Sequence, residues 1–176
     1  VSIVPCALSD RPEKIQLEGY HSGNTGLVHA VPSKKGGIEG RTLDQVYLSL
    51  ERPEVSYVHI DVEGFEARVL KGGWEMIRER RPVLYLEAQS QLLARAESSP
   101  AELFRELSQL DYCVFSVQGW AGEMFEMSGD PTGVAIDENW LALPNEGNEV
   151  AGIPELAAKY RELCRCPKTF SRFLRI

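Results

Sequence analysis

The sequence predicts an α/β fold built on a mostly parallel sheet, and three observations lead there. Apolar runs such as YVHI, VLYLEAQ and YCVFSV have little polar interruption, as expected of strands inside such a sheet. Segments with helix start signals lie between these runs. Acids stand directly after strand ends, at Asp10, Asp61 and Glu87. In open α/β sheets that edge is where ligands bind.

The elements follow in order. Val1 to Val4 reads as a short strand ending near Pro5. KIQLEG and GLVHAV read as two strands around the polar loop YHSGNT, and the Gly-rich SKKGGIEG as a loop without the GxGxxG pattern of a phosphate cradle. RTLDQVYLSL is a helix: Thr42 can cap it, Gln45 completes a capping box, and Leu43, Val46, Tyr47 and Leu50 form the apolar stripe. After the strand Tyr57 to Asp61, a helix begins near Gly64 and is expected to end on a left-handed Gly72. A second helix from Trp74 stops at Pro82. PVLYLEAQ is a strand. Ser99, Pro100 and Glu102 open a helix that turns Leu103, Phe104, Leu107 and Leu110 inward. YCVFSV and ENWLALP are strands separated by a long loop, Gly119 to Gly133, whose Trp120, Met124 and Phe125 are candidates for a lid. A helix from Ile153 to Cys164 and a basic tail follow. The domain division is thus 1–150, then 151–176.

Composition narrows the function classes. Apolar residues make up 43% and charged residues 26% of the 176, enough for one domain with a core. No run approaches the roughly 18 apolar residues of a membrane helix. The net charge of −7 argues against general nucleic-acid binding. From Glu155 to Ile176, six Lys/Arg against two acids give +4, which leaves −11 for the remainder. Of the cysteines, Cys164 and Cys166 are too close for an ordinary disulfide, and no second pair completes a zinc site, so a reducing cytoplasmic setting is expected. His21, His29 and His59 have no metal-ligand spacing.

TLDQV, then VHIDVEGFEARVLKGG, then RRPVLYLEAQ resemble in type and order the FkbM family of S-adenosylmethionine-dependent methyltransferases. CALSD looks like the family's third-strand segment and ENWLALP like its closing strand. The resemblance implies a Rossmann-like class I methyltransferase fold, with strand order 3-2-1-4-5-7-6 and an antiparallel last strand. It implies transfer of a methyl group to a hydroxyl of a sugar or secondary metabolite. Asp61 matches a position near the transferring methyl, and Ala7 and Leu8 match the segment that lines the adenine. Asp10 belongs with this cofactor-binding set. Asn24, with Gly26, fits an N-x-G pattern that would reach the acceptor, or simply a turn. The glycine-rich first motif and the ribose-binding acid are absent. The first two strands are therefore expected to come from upstream sequence or another chain.

For the chemistry, Asp61 is the first candidate, as base or as ligand of a divalent cation that acidifies the hydroxyl, although no ligand pattern supports a metal. Glu63 and Glu87 stand behind it, with Glu87 near the acceptor. His59, two residues before Asp61 and on the same strand face, is a candidate proton relay. Structural roles compete with each of these. Asp61 can cap the following helix, Glu63 and Glu66 suit a helix amino end, and His59 can be a buried histidine bonded to backbone. Two other functions compete as well: a metal-dependent hydrolase using Asp61, Glu63 and Glu87, and a non-catalytic interaction domain that keeps the fold.

Overall fold

The computed structural model describes residues 3–19, 28–118, 123–127 and 137–145. Four strands come first: β1 (Ala7–Leu8), β2 (Glu13–Gly19), β3 (Val28–Pro32) and β4 (Ile38–Arg41). They lead through α1 (Leu43–Ser49) to β5 (Tyr57–Ile60), α2 (Glu66–Lys71), α3 (Trp74–Arg80) and β6 (Val83–Gln89). Then come α4 (Ser90–Arg95), α5 (Pro100–Gln109), β7 (Tyr112–Gln118), β8 (Glu123–Glu126) and β9 (Asp137–Pro144). None of the described helices is long and apolar enough to cross a membrane. The boundary placed at residue 151, the helix after it and the tail lie outside the described residues.

The strands form two sheets, ordered β1-β4-β2-β3 and β5-β6-β9-β7-β8. In the larger sheet β9 lies between β6 and β7 and is antiparallel to both. The run β5-β6-β9-β7 is thus the expected fourth-fifth-seventh-sixth half of the order. The mostly parallel sheet is corrected. Among the described residues only β1–β4 and β5–β6 pair in parallel, because β9 inserts and the β2–β3 and β7–β8 connections make antiparallel ladders. Segment CALSD, matched to the third strand of that order, lies in the smaller sheet instead. Ala7 and Leu8 pair with Gly40 and Arg41 in the smaller sheet.

Burial alternates strictly along β6. Leu84, Leu86 and Ala88 are fully buried, while Val83, Tyr85, Glu87 and Gln89 are partly exposed. Strand registers carry the buried face across Ile60, Trp140, Ala142 and Val114. Ala67, Val69 and Leu70 of α2, Met76 and Ile77 of α3, and Leu103 and Leu107 of α5 close on it. Each fully buried large apolar side chain contributes about 1.5–3 kcal/mol, so this one face dominates the stability.

Local signals explain the starts of α1 and α5. Thr42 and Gln45 form the reciprocal capping box, both bonds at 3.1 Å. Ser99 accepts from the Glu102 amide, but the Glu102 carboxylate turns to Lys71 rather than back to the cap. Asp44 of the TLD segment caps α3 across space, accepting from the Glu75 and Met76 amides. It does so because the α3 cap position is Gly73, which has no side chain. Gly72 is a correction: it ends α2 at φ −74°, in the right-handed region. A Cβ there would lie 2.2 Å from the Ser9 carbonyl oxygen, so glycine is required by close approach, not by handedness.

Four further readings change. Residues 3–6 are not strand, and the first strand is Ala7–Leu8. SKKGGIEG is not all loop, since Ile38–Arg41 joins β2 and β1 as β4. Met124 and Phe125 lie in β8 on the sheet edge, and Trp120 falls outside the described residues. Helix α4 follows β6 directly with no side-chain cap, which is why no start signal marked it.

Candidate functional site

Ile60 pairs with Leu86 on the buried face, so the next residues, Asp61 and Glu87, emerge side by side on the opposite face. Two left-handed residues then turn the chain, Glu63 at φ 52° and Gly64 at φ 106°. Gly64 is held hard against α4: a Cβ there would lie 2.2 Å from the Leu92 carbonyl oxygen. The turn brings Glu63 back to the other two acids. Asp61, Glu63 and Glu87 each offer a carboxylate oxygen within 4.8 Å of the others. Asp61 is exposed and the other two are half-buried. Three oxygen donors of this kind could hold a hard divalent cation, with no histidine in the set.

The electrostatics are one-sided. Among the described residues no Lys or Arg forms an ion pair with these three acids. Burial, then the Asp61 and Glu63 charges, push the Glu87 carboxyl up from its ordinary value, against a hydrogen bond from the Gln89 side-chain amide at 2.6 Å. Glu87 therefore keeps its proton more readily than an ordinary glutamate. A side-chain hydrogen bond with Asp61 pushes it the same way.

His59 is not a buried histidine. It is exposed, and its ring meets Tyr85 edge to face at 5.3 Å. Its position on the Asp61 face follows from strand alternation. Asp61 does not cap α2: the cap position is Phe65 and carries no side-chain bond. Glu66 instead bonds the turn that precedes the helix. It is 1% exposed, and its Oε1 accepts from the Val62 and Gly64 amides, each at 3.2 Å. Glu66 does stand in the first turn of α2, as expected of an acid favoured by the helix dipole, but that reading missed its burial and its two bonds. The signal was present: Glu66 stands three and four residues before Val69 and Leu70, on the buried stripe.

The other predicted residues are not brought to this turn. Asp10 lies beside Arg68, whose Nε donates to it at 2.8 Å and whose Nη2 donates to Glu13 at 2.6 Å. Burial would raise the Asp10 carboxyl, but the Arg68 bond and charge prevail and hold it below its ordinary value. Ser9 abuts Gly72 at the carboxyl end of α2, whereas Asp61 to Gly64 lie at its amino end, six residues and about 9 Å of helix away. A cavity of about 250 Å³ opens on that carboxyl half, lined by Asp10, Arg68, Lys71, Glu97, Ser98 and Glu102. Asn24 lies outside the described residues.

These positions bear on the cofactor set Ala7, Leu8, Asp10 and Asp61. Ala7 and Leu8 belong to the smaller sheet, Asp10 is committed to Arg68, and Asp61 stands at the far end of α2.

No curated protein and no solved structure matches the chain. A family model does, and its span begins at Ser9, includes the whole acidic turn and Glu87, and ends in β7. With residues 9–114 of its 176 matching the methyltransferase FkbM domain, the chain belongs to that family.

Proposed function

We propose that this chain serves an S-adenosylmethionine-dependent O-methyltransferase acting on a hydroxyl of a sugar or secondary-metabolite acceptor. The observation that carries the reading is the acidic turn, with three carboxylates at the carboxyl ends of the parallel pair β5–β6, inside the matched segment. Asp61 is the exposed member. It accepts the proton of the acceptor hydroxyl as that oxygen becomes nucleophilic. Glu87, with its carboxyl pushed up, shares a hydrogen bond with Asp61 and lies toward the acceptor. Glu63 completes the acidic wall, and His59, exposed on the same face, passes the proton outward. The remaining cofactor contacts and the neighbouring strands come from upstream sequence or another chain. In support, β5 pairs only with β6 among the described strands and so presents an open edge. The reading also carries a cytoplasmic location.

Calorimetric titration with S-adenosylhomocysteine, on this chain and on a longer chain extended upstream, tests the proposal. Binding by the extended chain is expected. In that chain Asp61→Asn should lower methyl transfer to hydroxyl acceptors by about 10²-fold or more while the fold is kept. Absence of binding in both chains sinks the reading. A non-catalytic domain then takes its place, a reading favoured by one observation: Ala7, Leu8 and Asp10 stand apart from Asp61.

A further inference from the structure

We propose that Glu66 is a positioning residue, a buried pin that holds the turn from Asp61 to Gly64 so that Asp61 and Glu63 face Glu87. The proposal rests on the reading of Asp61 as the proton acceptor. The geometry is specific. A single oxygen, Oε1, takes the amide hydrogens of Val62 and Gly64, the two residues that flank Glu63. Between those bonds the chain passes through the left-handed pair Glu63 and Gly64. A left-handed conformation at a residue with a side chain is unfavourable and persists only where its surroundings hold it. The three carboxylates add a push of their own, since like charges at this distance repel and no described cation is paired with them. Released, the turn would relax and the acids would separate. Two contacts resist that: the contact of Gly64 with the Leu92 carbonyl, and the Glu66 bonds.

A carboxylate buried at 1% exposure is costly to keep in an otherwise apolar helix face. For helix stability alone an alanine or leucine would serve at this position, which faces the same core as Val69 and Leu70. What such residues could not do is accept two backbone hydrogens at once. Glutamine could, because its side-chain carbonyl presents an acceptor at the same reach.

The test compares Glu66→Gln, Glu66→Ala and Glu66→Asp in the full chain. Amide hydrogen exchange is read at Val62 and Gly64, with Leu103 and Leu107 of α5 as internal standards. Glu66→Ala and Glu66→Asp should speed exchange at Val62 and Gly64 by at least about tenfold while the α5 amides keep their protection. Glu66→Asp also covers the case in which the alanine variant fails to fold, since its shorter carboxylate keeps the charge but not the reach. Glu66→Gln should restore protection. In the extended, methyl-transferring chain, kcat should fall with the loss of protection, with little change in KM, and should return with Gln. Unchanged exchange in both Ala and Asp overturns the proposal. Lost protection with unchanged kcat overturns it too, because the pin would then hold nothing the reaction needs. Lost protection in a chain that transfers no methyl group in unsubstituted form supports the pin and counts against the methyltransferase reading instead.

Discussion

At the amino end of α2, Asp61, Glu63 and Glu87 crowd together without a counter-charge among the described residues. Along its carboxyl half, Asp10 and Glu13 close on Arg68, and Glu102 and Glu106 on Lys71. One short helix separates acids that repel from acids that are neutralised. Their titration follows. Glu87 is pushed up by burial and by its acidic neighbours, whereas Lys71 holds Glu102 down and Arg68 holds Asp10 down. The paired end ties the smaller sheet to the helices and contributes stability. The unpaired end contributes none by its charges and is held by backbone: the Glu66 bonds and the fit of Gly64 against α4. Crowded acids of this kind are common at ligand sites.

Substitutions at the two ends should differ in sign. The largest effect is expected for Arg68→Ala. Arg68 is 15% exposed and stands between two partly buried carboxylates, so its loss should lower stability by about 2–3 kcal/mol at neutral pH. The Asp10 carboxyl is held below its ordinary 3.8, so its share of that stability is present above 3.8 and is lost as pH falls through the lower folded value. The difference between wild type and variant should therefore shrink in acid. Denaturant unfolding across a pH series measures this, and an unchanged midpoint at neutral pH breaks the comparison.

A smaller effect of opposite sign is expected for Glu87→Gln. The Glu87 carboxyl is raised above its ordinary 4.5, so the folded state loses stability as pH climbs from 4.5 through the raised value. Glutamine removes that cost. With a chelator present, the variant should be more stable at neutral pH by about 0.5 kcal/mol, after allowance for screening by water, and equal to wild type well below pH 4.5. A destabilised variant in chelator would mean that Glu87 is matched by a positive partner after all. The smallest change is expected for Lys71→Ala. Its side chain is 39% exposed, so its ion pairs should contribute less than about 0.5 kcal/mol. Thermal melts at low and high salt check it, and the difference should fade as salt rises.

Much of the fold was legible because its signals are local. The capping box at Thr42, the Ser99–Pro100 start and the apolar runs of β5, β6, β7 and β9 depend on neighbours within a few residues. What escaped depends on distant partners. Ile38–Arg41 is a strand because β2 and β1 flank it, and α4 lacks a cap that sequence would reveal. The requirement for glycine at Gly72 comes from Ser9, far away in the chain. The acidic residues of the site were legible from their place after strand ends, but their mutual distances were not.

By itself, the sequence determined the locally signalled strands and helices, which acids follow strand ends, and, through IDVEG and its flanking motifs, the family. Tertiary structure alone decided which of those acids meet. Strand register sets Asp61 beside Glu87, and the left-handed turn returns Glu63 to them. Folding commits Asp10 to Arg68 and buries Glu66 as the acceptor of two backbone hydrogens. The physical reason is range. Helix caps and apolar periodicity act over a turn or a strand, whereas the charge state and contacts of a carboxylate depend on every group that folding brings within a few ångströms.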